Sequence, residues 1–238
     1  MSIMKKTLVV IALVWSATTI NAQSNTGTIS VIPHVGVTFS NITKESMGFG
    51  HSSDVQNGKT QVGPVAGADL QYQAHPALGI SIGVNYQRMG CTYDDTDLSQ
   101  ADAGEHTVYQ NSHTYIHYLG VPLMGHLYVA KNFAINAGVQ ASFLLSNNMH
   151  TESSNVTIGT DGSYTYQKET EKLNVENKNI RKFNLSIPVG VSYEYENVVL
   201  DIRYQFGLSK VYKSLIGNGN KNKAVVITAG YKFNFGSI

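Results

Sequence analysis

The sequence is poor in the residues from which water-soluble domains build their surfaces. Charged side chains make up 14% of the 238 residues, against roughly 25% in a typical soluble domain. The formal net charge is +1, which offers no electrostatic handle for nucleic acid or an acidic substrate. There is one cysteine, Cys91. An internal disulfide is therefore excluded, and its depth in the chain excludes a lipoprotein anchor. It reads as a free thiol near a strand end, an intermolecular bridge being its other use. Helical periodicity is almost absent after residue 24. No apolar run reaches the about 20 residues that a membrane-spanning helix needs.

The one apolar run at the start is of a different kind. Lys5 and Lys6 precede Leu8 to Trp15, and Ile20-Asn21-Ala22 ends on a small residue before Gln23. That order reads as an export leader cut after Ala22. The expected organisation is a signal peptide over 1–22 and one barrel domain over 23–238.

What fills the rest of the chain is period-two alternation, the signature of strands with unlike faces. It is clearest near the end, where Val225, Ile227, Ala229, Tyr231, Phe233 and Phe235 share one face. Similar rows run through 29–40, 62–74, 78–90, 115–130, 133–146, 183–195 and 198–209. Eight strands result. The connections alternate in length. Short turns at His75-Pro76, Lys131-Asn132 and Glu196-Asn197 alternate with long polar segments at about 41–60, 92–113, 147–180 and 211–222. Short turns at one end and long loops at the other predict an all-β, eight-stranded antiparallel transmembrane β-barrel. Its topology is up-and-down, with periplasmic turns and extracellular loops, in the cell outer membrane.

The polar faces decide which side meets water. A soluble lipocalin-like carrier is also an eight-stranded barrel, with its apolar face inward. Its outer face would carry Lys, Glu and Arg. Here the polar faces carry Gly, Ser, Asn, Gln and Thr, which suit a narrow lumen. Tyr72, Tyr86, Tyr115, Tyr128, Tyr193, Tyr195, Tyr212 and Tyr231 lie near strand ends, as an interfacial girdle would. Pro33, Pro64, Pro122 and Pro188 fall inside the strands. A closed barrel has no edge strand to take them, so bulges, kinks or earlier strand ends are expected there.

Several ordered motifs resemble one family. Gly36-Val37-Thr38-Phe39-Ser40-Asn41-Ile42, Tyr118-Leu119-Gly120-Val121-Pro122-Leu123 and Ala137 to Ser146 are followed by Asp201 to Leu208 and Gly230-Tyr231-Lys232-Phe233. In this order they are similar to the PorT-like outer-membrane barrels of Bacteroidota. The resemblance spans the mature chain outside the long loops. It implies an eight-stranded barrel in the outer membrane, and in a few members a part in protein secretion.

Candidate sites are few. Asp69, Glu194, Asp201, Arg203 and Lys232 fall on inward faces and are expected to pair as a structural lumen network. Ser81, Ser142 and Ser186 also face inward, but no motif ties a serine to a histidine and an acid, so no catalytic residue is assigned. His34 and His126 are expected to fill the lumen, and His51, His75, His106 and His150 to lie in loops or turns. No cofactor or metal is expected. Asp94, Asp95 and Asp97 lack the full spacing of a calcium loop. With Tyr164 and Tyr166 they mark loops where a partner would bind, and the 147–180 segment is one that can extend its hairpin above the membrane. Expected partners are outer-membrane lipid and envelope or secretion proteins, with no nucleic acid, and the barrel is expected to be a monomer. The expected function is a non-enzymatic barrel with a structural, secretion-accessory or adhesion role. The alternatives are a lipid-modifying enzyme and the soluble carrier.

Overall fold

The computed structural model describes residues 25–43, 46–48, 55–99, 101–166, 170–213 and 220–237. The leader lies outside the described residues, as does His51. The elements are β1 (Thr28–Ile42), β2 (Ser46–Gly48), β3 (Val55–His75), β4 (Leu78–Tyr93), β5 (Gly104–Ala130), β6 (Phe133–Ile158), β7 (Tyr164–Tyr166), β8 (Glu171–Val175), β9 (Phe183–Tyr195), β10 (Val198–Lys210), β11 (Lys221–Tyr231) and β12 (Phe233–Ser237).

The ladder runs β1–β3–β4–β5–β6–β9–β10–β11, and β1 closes it by pairing with both β11 and β12. The ring has eight strands because β11 and β12 are one strand interrupted at Lys232. Every ring pairing is antiparallel. Closure leaves no open edge at membrane depth, which is what lipid requires of a spanning sheet. The outward rows are apolar. Val35, Leu70, Ile82, Leu123, Val139, Leu200 and Ile202 are all exposed, while Thr38, Asn85, Asn136, Gln140 and Asn184 are buried in the lumen.

The tyrosine girdle is narrower than the sequence suggests. Tyr72, Tyr193, Tyr195 and Tyr231 face outward at the end with the short turns. Tyr128 instead lies buried in the lumen. Its even-numbered position on β5 shares a face with Tyr118 and His126. Tyr212 packs against the lumen's apolar cluster beside Ile180.

All four strand prolines fall where one neighbouring ladder is already open. Opposite Pro33, the partner strand breaks between β11 and β12. Pro64 sits in a bulge, where Gln61 to Pro64 face only Arg88, Met89 and Gly90. Pro122 lies opposite a gap at Gly83 and Val84, with no change of register on either side. Pro188 lies opposite a similar gap at Gly138 and Val139. Of the expected accommodations, only Pro64 uses a bulge, and none ends its strand. The bulge leaves carbonyls without ladder donors, and β1 supplies replacements. Thr38 Oγ1 donates to Arg88 O at 2.7 Å and is 3.1 Å from Gly63 O. Ser40 Oγ accepts from Gly90 N at 3.0 Å.

The long polar segments hold more strand than expected. β5 and β6 contain 27 and 26 residues, far beyond the 9–11 that cross a membrane. Their outer halves form a hairpin above the barrel, and β7 and β8 add to its β6 side. His106 and His150 are therefore in strands, not loops. Val108, Val156 and Ile158 are buried in this part, but they are too few to make a legible apolar row.

Moving one proline tests the ladder account. Pro188→Ala should shift stability by less than about 1 kcal/mol. Val189→Pro interrupts a position paired with both Ala137 and Tyr204, and should cost about 3 kcal/mol or block folding. The heat-modifiable band on gels reads both outcomes.

Candidate functional site

The lumen is stacked in layers. At the short-turn end Lys232 Nζ donates to Glu194 Oε2 at 3.1 Å. Lys232 is 2% exposed, so the carboxylate serves as the partner that a buried ammonium needs. Above lies a second ion cluster. Arg203 Nε approaches Asp201 Oδ1 at 2.6 Å and its Nη2 lies 3.7 Å from Asp69 Oδ2. His34 Nδ1 is also 3.7 Å from Asp69 Oδ2. The five charges singled out in the sequence thus fall into two groups, Lys232–Glu194 and Asp69–Arg203–Asp201. Gly83 makes room for this layer, because a Cβ there would collide with the Asp69 carboxylate.

Beside the ion cluster is an arrangement the sequence does not advertise. Ser81 Oγ is 2.8 Å from His126 Nε2. His126 Nδ1 is 2.9 Å from Asn136 Oδ1, and Asn136 Nδ2 donates to Asp201 Oδ2 at 2.8 Å. The four residues come from β4, β5, β6 and β10, so no linear spacing could reveal them. The only available signal was that each occupies an inward position a few residues from a short turn. The sequence holds no motif tying a serine to a histidine and an acid, and the structure joins them through the Asn136 amide instead. The series is a hydroxyl, an imidazole and an orienting amide, the order that activates a nucleophile. It borders a cavity of about 30 Å³ that Asp69, Arg203 and Tyr128 also line. That is space for about two water molecules, too little for an acyl chain.

Halfway up, three glutamines from β4, β6 and β10 close a ring of amides. Gln87 donates to Gln205 at 2.8 Å, Gln205 to Gln140 at 3.3 Å, and Gln140 to Gln87 at 3.1 Å. Gly120 lets them meet, with Gln140 Nε2 only 2.6 Å from where its Cβ would lie. Above the ring the lumen turns apolar. Ile42, Met89, Cys91, Ile116 and Tyr118 pack together there, capped by Ile180 and Val211 from outside the ring strands. Cys91 is buried among them, its thiol donating to the Tyr93 hydroxyl at 3.2 Å. The small polar residues read from the sequence thus line the lower and middle lumen, and this apolar plug lies above them. Side chains fill a narrow barrel, and among the described residues the amide ring and this plug occupy the lumen.

The loop residues lie apart from one another. Asp94 pairs with Lys59. Asp95 Oδ1 accepts from Asn111 N at 3.0 Å, and Asp97 Oδ1 from Ser99 N at 2.8 Å. The Ser99 bonds hold the Asp97 carboxyl below its ordinary range. Tyr164 and Tyr166 stand exposed on β7, across the hairpin from that loop. Near them, Lys172 of β8 lies 2.9 Å from Glu152 of β6. Bonds from Lys172 and Asn111 hold Glu152 below the usual carboxylate range. Among the described residues no group of His, Cys, Asp and Glu is arranged to hold a metal ion.

Residues 21–213 match the family model described as outer membrane protein beta-barrel domain. The chain belongs to that family. This outer-membrane barrel protein is thus located in the outer membrane, with its short turns facing the periplasm. Similar solved structures include Ail, the attachment invasion locus protein of Yersinia pestis, at 14% identity and TM-score 0.41, covering 88% of this chain and 100% of that one. Neisserial surface protein A is 15% identical with TM-score 0.42, covering 87% and 97%. OprG from Pseudomonas aeruginosa is 10% identical with TM-score 0.39, covering 90% and 99%. No curated protein matches the sequence.

Arg203 is the cation shared by the larger ion cluster. Replacing it with Met would leave Asp69 and Asp201 buried without it, which should cost about 3–5 kcal/mol. Urea titration of the barrel in detergent should show an earlier midpoint. An unchanged midpoint would rule out a structural role for the cluster.

Proposed function

We propose that this protein is a non-enzymatic outer-membrane barrel that presents its extracellular hairpin to an envelope, secretion or adhesion partner. The observation that carries the reading is the β5–β8 sheet above the membrane. Tyr164, Tyr166 and Leu173 are 49%, 59% and 51% exposed on it. Solvent-facing aromatic and aliphatic side chains on a strand-built projection suit recognition by strand addition. The plugged lumen supports the same reading, since it removes transport as a competing use. The motifs similar to PorT-like barrels favour a secretion-related partner within this class. Ser153 and Glu171 are register partners, so replacing residues 154–170 by a short turn removes the projection's tip and spares the ring. Surface adhesion and secreted-protein release should fall in cells carrying this variant as far as in cells lacking the protein. Wild-type levels of both, with the barrel folded, would remove the proposal.

A second reading rests on the Ser81–His126–Asn136 series. In it the protein modifies a lipid, Ser81 acting as nucleophile and His126 as base. The small cavity weighs against it. Purified protein should therefore release no labelled fatty acid from phospholipid and take up no fluorophosphonate. Turnover that disappears in both Ser81→Ala and His126→Phe would instead establish the enzyme.

A further inference from the structure

We infer that the outer wall of β4 and β5 carries a binding site for the phosphate of an outer-leaflet lipid headgroup, built on Arg88 and His117. The outward row of β4 is Leu78, Ile80, Ile82, Val84 and Tyr86, and the next position is Arg88. Ten residues of a strand tilted by about 45° rise about 25 Å, the height of the apolar band. Arg88 therefore stands where hydrocarbon gives way to headgroups. On β5 the apolar row ends at Leu119, and the residue directly opposite Arg88 is His117.

The guanidinium is held in place rather than left to swing. Its centre lies 4.6 Å from the Tyr115 ring centroid, a cation–π contact. Its Nη2 donates to Val62 O at 3.2 Å, beside the bulge at Pro64. One bond engages a group with five donors. Among the described residues no carboxylate lies within ion-pair distance of it. A cation on the lipid-facing wall without an acidic partner is costly unless the membrane supplies the anion.

His117 completes the pair of donors. Its Nδ1 lies 2.6 Å from the Tyr86 hydroxyl. With that hydroxyl donating, the imidazole proton sits on Nε2 and is available to a phosphate oxygen. Tyr86 and Tyr115 flank the two donors with amphipathic rings that suit the interface. The ligand class is a phosphate carried by a lipid, because the apolar row directly below can receive its chains. A free anion has no use for that row.

The test uses the folded full-length mature barrel in phosphatidylcholine vesicles doped with spin-labelled lipids. Wild type should select phosphatidylglycerol over phosphatidylcholine at its boundary. Arg88→Gln should reduce that selectivity about fivefold, His117→Phe should lower it independently, and Arg88→Lys should retain most of it. An excess of inorganic phosphate should leave it intact. Equal selectivity in wild type, Arg88→Gln and His117→Phe overturns the inference. Loss of selectivity on adding inorganic phosphate also overturns it, because the site would then be one for free anions. Each variant is first shown to be folded by its heat-modifiable band, and His117→Phe keeps the question decidable if Arg88→Gln does not fold.

Discussion

A backbone amide that faces hydrocarbon has no partner except another strand. Closing β1 onto both β3 and β11 meets that demand around the ring. It also explains why four prolines survive in a sheet without edges. Each occupies a place where a neighbouring strand bulges, breaks or drops out of pairing, so the missing donor removes no bond that would otherwise form. Where the Pro64 bulge leaves carbonyls over, hydroxyls from β1 occupy them. The irregularities are thus coupled across strands rather than scattered.

The same closure forces the lumen to be solved as a packing problem. An eight-stranded ring leaves space only for side chains, and charges placed there must find partners within it. The lower layers do this with two ion clusters and the middle with a ring of amides. The upper layer is mainly apolar, and its few buried polar groups pair locally, as Asn222 does with the Tyr118 hydroxyl. What is left for interaction lies outside, on the projecting hairpin and on the wall itself.

The ring was readable in the sequence because lipid outside and side chains inside impose opposite demands on alternate residues. Segments such as 183–195 and 198–209 carry that contrast along their whole length. The outer halves of β5 and β6 do not, since both faces there meet water or loops, and alternation stops without the strand stopping. Tyr128 reads as a girdle tyrosine, because composition cannot tell an interfacial ring from one turned inward. The plug was hidden for a related reason. Met89, Cys91 and Ile116 are apolar residues on faces whose lower half is polar, and no strand contributes more than a few positions to the plug. The Ser81–His126–Asn136 series was out of reach of any linear motif. Its members are brought together only by the register of three adjacent strands.

The ring strands differ sharply in height. β5 and β6 run for 27 and 26 residues, whereas β9 and β10, the next two strands round the ring, have 13 each. The rim is therefore slanted, with a tall flank and a low one. Seen from above, the molecule has a front and a back in the plane of the membrane. Neighbours packed around it meet different profiles on different sides. Its rotation about the membrane normal therefore decides which flank a given neighbour meets.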